Sequence, residues 1–285
     1  MEFCSLRNYK FDRESTIEQL ALILKDWGSN MRKLDGTDYK EGVIETIWNT
    51  TEALLQEKFY TDFGRKFDPF KDVAFLSARR AQDTKRKELQ RLPEKQKVSS
   101  TALSYEEHHK TCKQWNDETP VGLQMKFYHI SSVELAWRGG EAASCLVDYF
   151  DEELDNKGSP TGRIKYNSIF SKTCQGGSQP CAVTKWLVTN SEHPALCPVR
   201  LFRKLLSRRG TNITTNRLFL AANRYWKQGS NTNWYKNSPI GVDAISKWTK
   251  NSAENIGLDT KKDKISNHSN RATPVSQLIK AGVGE

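Results

Sequence analysis

The chain has 285 residues, a formal net charge of +10 and a pI of about 9.2, with 36% hydrophobic and 27% charged residues. That length suggests about two domains, and the eight Trp and twelve Phe argue against global disorder because each buries a large area. The positive balance favours polyanionic partners without proving them. No stretch approaches the ~18 apolar residues of a transmembrane helix, so no membrane association is expected. Arg7, Lys10 and Asp12 interrupt any early apolar run, and the six Cys lack CxxC spacing, so the thiols are read as reduced and intracellular. Cys174, Cys181, His193 and Cys197 are too irregularly spaced for a zinc site, so no metal or cofactor is expected.

Ser15-Thr16-Ile17-Glu18 reads as a capping box opening a helix over about 16–32, with Ile17, Leu20, Ala21, Leu24 and Trp27 at helical spacing. Leu34-Asp35-Gly36 has turn chemistry. A second helix is expected from about Lys40 to Lys58, burying Val43, Ile47, Leu54 and Leu55. Pro69 interrupts at Phe67-Asp68-Pro69-Phe70. A further helix with Val73, Phe75 and Leu76 should run into a basic stretch, where Arg79 to Lys97 carries eight Lys/Arg against three acids. Arg79, Arg80, Lys85, Arg86 and Lys87 are the candidate DNA-backbone contacts there; a merely solvated charged face is the alternative. Residues from Arg91 to Thr101 have linker composition.

Ser104 to Glu107 forms a second capping box, and the adjacent His108 and His109 face different ways, so they are not a ligand pair. Thr119-Pro120 starts the next helix, which leads into Trp137-Arg138-Gly139-Gly140-Glu141. Ala142, Cys145, Leu146, Tyr149 and Phe150 then read as a continuing helical face, closed by the acids Asp148, Asp151, Glu152 and Glu153. Strands over Arg163–Ser171 and Cys181–Thr189 would form a β-hairpin with Lys172 near its bend. Cys197-Pro198 opens a helix ending near Gly210. An aromatic loop with Tyr225, Trp226, Trp234 and Tyr235 follows, then a helix with Val242, Ile245, Trp248 and Ala253. Last comes Ile265-Ser266-Asn267-His268-Ser269-Asn270-Arg271, where His268 and Arg271 sit three apart at a helix start and suit an anion; Pro274 is placed in the first turn of the helix beyond.

The order Arg138-x-x-Glu141, a hairpin Lys172, then His268-x-x-Arg271 resembles the tyrosine recombinase (phage integrase) superfamily. Leu135 to Glu141, Ser171 to Gly177, Cys197-Pro198-Val199 and Asn267 to Arg271 carry a closer similarity to crypton-type recombinases. It extends to their domesticated relatives at the end of MYM-type zinc-finger and glutamine-rich nuclear proteins. The resemblance implies that Arg138 and Arg271 grip a scissile phosphate, His268 hydrogen-bonds it, and Lys172 acts as general acid, with Glu141 orienting Arg138. The family nucleophile is a Tyr downstream of His-x-x-Arg, and no Tyr follows Arg271 in the fourteen residues to Glu285; Asn267 also stands where many active members have Gly.

These readings imply a mainly α protein with a small β-hairpin or sheet (α+β). Residues 1–97 would be an N-terminal helical bundle with a basic linker, and residues 98–285 a recombinase-like catalytic core truncated before the nucleophile. Val275, Leu278 and Ile279 are then expected to be exposed. The implied function is a nuclear module that binds double-stranded DNA and is inactive as a recombinase. The alternatives are a fragment of an active crypton transposase and a scaffold for nuclear protein partners; oligomeric state is open.

Overall fold

A computed structural model describes residues 7–96, 99–167 and 184–282. The chain divides into two compact units, Met1–Val98 and Ser99–Glu285. Both are mainly helical, and the second adds small antiparallel sheets, which makes the whole α+β as expected.

The first unit is built from α1 (Ile17–Ser29), α2 (Glu41–Phe63) and α3 (Leu76–Gln90), with a 3-10 turn at Val73–Phe75 leading into α3. Thr16, rather than Ser15, caps α1, and its box partner is Gln19 instead of Glu18. Ser15 is diverted because its hydroxyl and backbone N–H both donate to the Asp12 carboxylate at 2.9 Å. α2 runs five residues past the expected end at Lys58, until Gly64 stops it in a left-handed conformation at φ 66°. Its buried stripe is Ile44, Trp48, Glu52, Leu55 and Phe59, so Val43 and Leu54 face solvent instead of the core. The 44-48-55-59 spacing also satisfies helical periodicity, and it presents the aromatic side chains Trp48 and Phe59, which bury more area than Val43 and Leu54 could. Trp48 stacks on Trp27 at 5.4 Å, and a Cβ on Gly28 would stand 2.9 Å from the Trp48 ring, so α1 and α2 need glycine there to approach.

In the second unit, α4 (Tyr105–Lys113) begins with the Ser104/Glu107 capping box, as expected. The central helix α5 (Pro120–Glu134) starts with Thr119 as cap and Pro120 at the first position. Buried on nearly all sides, it carries Leu123, Phe127 and Ile130 into the main core, with Trp137, Phe150, Phe202 and Phe219 around them. A Cβ on Gly122 would lie 1.9 Å from the Asn116 carbonyl oxygen, which fixes that turn against α5. Beside it Asp117 gathers Lys126 at 3.0 Å, Arg200 at 2.9 Å and Lys204 at 3.2 Å. Burial alone would raise the Asp117 carboxyl, but these three hydrogen-bonding cations hold it well below the usual carboxylate range.

After the short α6 (Gly139–Ser144) the chain departs from expectation. The apolar face does not continue as helix to Phe150; a 3-10 turn at Val147–Tyr149 gives way to β1 (Phe150–Leu154), which holds three of the four acids. β1 pairs with β2 (Pro160–Tyr166), and β2 with β3 (Lys185–Val188), in antiparallel order β1-β2-β3. Residues 151–153 carry no apolar side chain, so backbone pairing with β2, rather than a hydrophobic pattern, makes them a strand. The expected hairpin is present in the Arg163↔Val188 to Tyr166↔Lys185 register, while the expected bend with Lys172 and Cys174, and the start of the returning strand at Cys181, lie outside the described residues.

α7 (Pro198–Ser207) starts at Cys197-Pro198, and β4 (Leu220–Ala222) with β5 (Tyr235–Pro239) flanks the aromatic loop. The helix expected after Gly241 is two pieces, α8 (Val242–Ser246) and α9 (Trp248–Asn255). α10 (Asn267–Lys280) is continuous, so Pro274 lies inside it and not in its first turn. The residues preceding Pro274 are pinned by side-chain hydrogen bonds, which tolerate the one backbone bond that proline removes. Val275, Leu278 and Ile279 are exposed, as expected.

Candidate functional site: a cationic cluster at two helix starts

Arg138 is placed by its neighbours on both sides. At the end of α5 the Trp137 amide donates to the Ser132 carbonyl at 3.1 Å, a six-to-one closure, and Ala136 takes a left-handed φ of 47°. Trp137, almost wholly buried, then wedges against Tyr166 and Phe219 with centroids 5.8 Å and 6.2 Å away. Arg138 comes next, half-buried, as N-cap of α6. The Glu141 carboxylate accepts from the Arg138 amide at 2.9 Å and from its guanidinium at 3.3 Å, so one acid both caps the helix and orients the guanidinium.

His268 and Arg271 lie in the first turns of α10, both exposed. What turns them outward is the alternate pair. Asn267 is buried and donates to the Ile245 carbonyl at 3.0 Å, and buried Asn270 donates to the Thr249 hydroxyl at 3.0 Å. Tyr128 shares that network, its phenol 3.1 Å from the same Thr249 oxygen, and burial pushes it up to about 12, a neutral phenol. On a helix, residues 267 and 270 share one face and 268 and 271 the next, so fixing the asparagines fixes the cations. Ser266 caps this helix, and Thr273 accepts from the Leu103 amide at 3.0 Å.

Helix α8 links the two halves, since it packs on α6, next to Arg138, and receives Asn267 at its Ile245 carbonyl. A third cation joins them from the sheet. Lys185 opens β3, and its ammonium donates to the Leu135 carbonyl. Its pKa is lowered from the ordinary lysine value, first by partial burial and then by Arg271 and Arg138, with Glu141 acting in the opposite sense. Arg138, Arg271 and Glu141 therefore all act on Lys185. Lys185 escaped the sequence reading because nothing distinguishes a Lys at a strand start from any other; its signal is the Tyr166↔Lys185 pairing, which exists only in three dimensions.

The five basic residues of the first unit are differently engaged. Lys85 is buried on Asp38 at 2.9 Å, Arg86 pairs with Glu41 and Glu45, and Lys87 with Asp83. Arg79 donates to the carbonyls of Pro69 and Asp72. Arg80 is exposed, makes no ion pair among the described residues, and lines a surface groove of about 580 Å³ with Lys25, Ser77 and Thr84.

No protein-family model matches the chain, and no curated protein does. Several solved structures are similar to it. One is the XerH site-specific recombinase bound to its difH substrate in a pre-cleavage complex, with a TM-score of 0.43 and 13% identity over 93% of this chain and 67% of that one. XerA recombinase gives 0.41 and 13% over 100% and 75%. The Tn1549 transposon integrase in complex with a circular intermediate DNA gives 0.45 and 10% over 99% and 80%.

Proposed function

We propose that the chain is a DNA-binding module derived from a crypton-type tyrosine recombinase, gripping a backbone phosphate of double-stranded DNA between Arg138 and Arg271. The observation that carries this reading is that Lys185 lies within the electrostatic reach of both Arg138 and Arg271, with Glu141 paired to Arg138 beside them. Such a site has surplus positive charge and forked guanidinium donors, the chemistry that binds a phosphodiester. His268 adds a ring N–H donor on the same helix start as Arg271. Lys172 belongs to the reading through the sequence resemblance, and Arg80 is the best-presented of the five cations for a second backbone contact. A nuclear location accords with a domesticated origin.

Fluorescence anisotropy on duplex DNA across a salt series tests it. Binding should weaken linearly in log–log form, and Arg138→Ala or Arg271→Ala should lower the slope by about 1 each. No binding at low salt, or variants indistinguishable from the parent, would remove the reading and leave a scaffold.

One observation favours strand cleavage as a second reading. An amine whose pKa lies below the ordinary lysine value, as that of Lys185 does, is a better proton donor to a leaving oxygen. The step also needs a Tyr hydroxyl to attack phosphorus while the leaving oxygen takes its proton from Lys185. An in-frame Tyr encoded past Glu285, with a denaturant-resistant adduct of that longer chain on a nicked suicide duplex, would establish it; lack of such a Tyr leaves the grip without the cut.

A further inference from the structure

The tip between β4 and β5 carries exposed rings that the core does not use. Tyr225 is 65% exposed and Trp226 half-exposed, and neither belongs to the main core, whereas Trp234 packs against its edge. Trp226 lies 5.3 Å from Trp234, the Arg208 guanidinium sits 4.7 Å over Trp234, and Arg224 sits 4.7 Å over Tyr225. The loop holds its own shape: Asn223 donates its backbone N–H to the Trp234 carbonyl and its side-chain amide to the Asn233 carbonyl, both at 2.9 Å. From Arg208 to Val242 the sequence contains no Asp or Glu but six Lys/Arg. Among the described residues none of Arg208, Arg224, Lys227 and Lys236 is ion-paired, and all four are exposed.

We infer that this tip is a stacking platform for the unpaired nucleotides of a nucleic-acid strand. Tyr225 and Trp226 take base faces, and the four cations follow the backbone. The argument is one of fit. Flat rings interleaved with unpaired guanidinium and ammonium groups suit a polyanion that also offers π-faces. In duplex DNA the base faces are occupied by their neighbours, so the partner that uses both features is single-stranded. A purely charged partner, such as an acidic peptide, would leave the rings without a role. The inference does not depend on Arg138 or Arg271.

The test compares the full chain on a labelled oligothymidylate of about twelve nucleotides, within the span of single-strand sites, and on an abasic oligomer of equal length. The expected result is binding of the base-bearing strand about tenfold tighter at equal salt, with quenching of Trp fluorescence. Tyr225→Ala and Trp226→Ala should each bring the affinity toward the abasic value, and Trp226→Phe should retain it. Among the described residues the Tyr225 side chain interacts with its neighbour Arg224, while its backbone bond to Asn223 is kept in the variant, so its removal leaves the fold intact and decides the matter even if Trp226→Ala is unstable. Equal affinity for the two oligomers, equal displacement by polyglutamate, or an unchanged Tyr225→Ala would overturn the proposal. Arg138→Ala is the control that separates the sites: loss of duplex binding with strand binding intact leaves this inference standing.

Discussion

Asn270 donates its side-chain amide to the Thr249 hydroxyl at 3.0 Å, in the interior of the second unit, and this bond sets the direction of the next residue, Arg271. A neutral amide thus does the positioning while the cation stays in solvent. Replacing Asn270 with Leu removes the bond and leaves the Thr249 hydroxyl with Tyr128 as its side-chain partner, at a cost of about 0.5–1.5 kcal/mol. Thermal unfolding should show the loss, and duplex affinity should fall together with it because Arg271 no longer points into the cluster. A destabilised variant with undiminished affinity would show that α10 finds its rotation from other contacts.

Ala136 stores strain immediately before the Trp137-Arg138 pair. A non-glycine residue at φ 47° costs about 1–2 kcal/mol, and glycine at the same place loses part of that advantage to unfolded-chain entropy. Ala136→Gly should therefore raise stability by about 0.5–1 kcal/mol in urea unfolding. Arg138 affinity should be unchanged, since the Trp137 amide still closes on Ser132.

Glu52 predicts a pH dependence for the first unit. Its carboxyl is fully buried in α2, and burial pushes its pKa up to about 7, opposed by the Trp48 side chain and Arg79. The folded chain then holds a proton that the unfolded chain releases near 4.5, so this group's contribution is full below that value. It is lost as pH rises toward 7, at a rate of at most ~1.4 kcal/mol per unit. Protection factors over Glu41–Phe63, with the intrinsic rise of amide exchange with pH divided out, should thus fall between pH 5 and 8, and Glu52→Gln should flatten the change. A slope that persists in Glu52→Gln would assign it to another group.

The sequence shows these features unequally. Capping chemistry and helical spacing act within one or two turns, which is why α4, α5 and the start of α7 are legible from Ser104, Thr119 and Pro198. Arg138, Glu141, His268 and Arg271 stand out for the same reason, each pair being three residues apart. What could not be read depends on distant partners. β1 is a strand only because β2 pairs with it, and Lys85 is a buried ion-pair partner because Asp38 meets it from 47 residues earlier in the chain. Asn267 and Asn270 look like loop residues in sequence yet are buried hydrogen-bond donors, since their acceptors are on α8 and α9.

Lys185 gives the most discriminating prediction for the cluster. Partial burial, then Arg271 and Arg138, lower its pKa from the ordinary 10.5, so it loses its proton at lower pH than a solvated lysine. Affinity for duplex DNA should therefore decline as pH is raised from 7 toward that ordinary value, in a range where the arginines stay charged. Lys185→Arg should keep its affinity over the whole range, because a guanidinium does not titrate there. Lys185→Ala should bind about tenfold more weakly at neutral pH, the worth of one phosphate contact near 0.1 M salt, and should show a flat profile. Anisotropy titrations at fixed ionic strength read all three. If the parent and Lys185→Ala decline in parallel, another group titrates, and Lys185 holds only the Leu135 carbonyl in place.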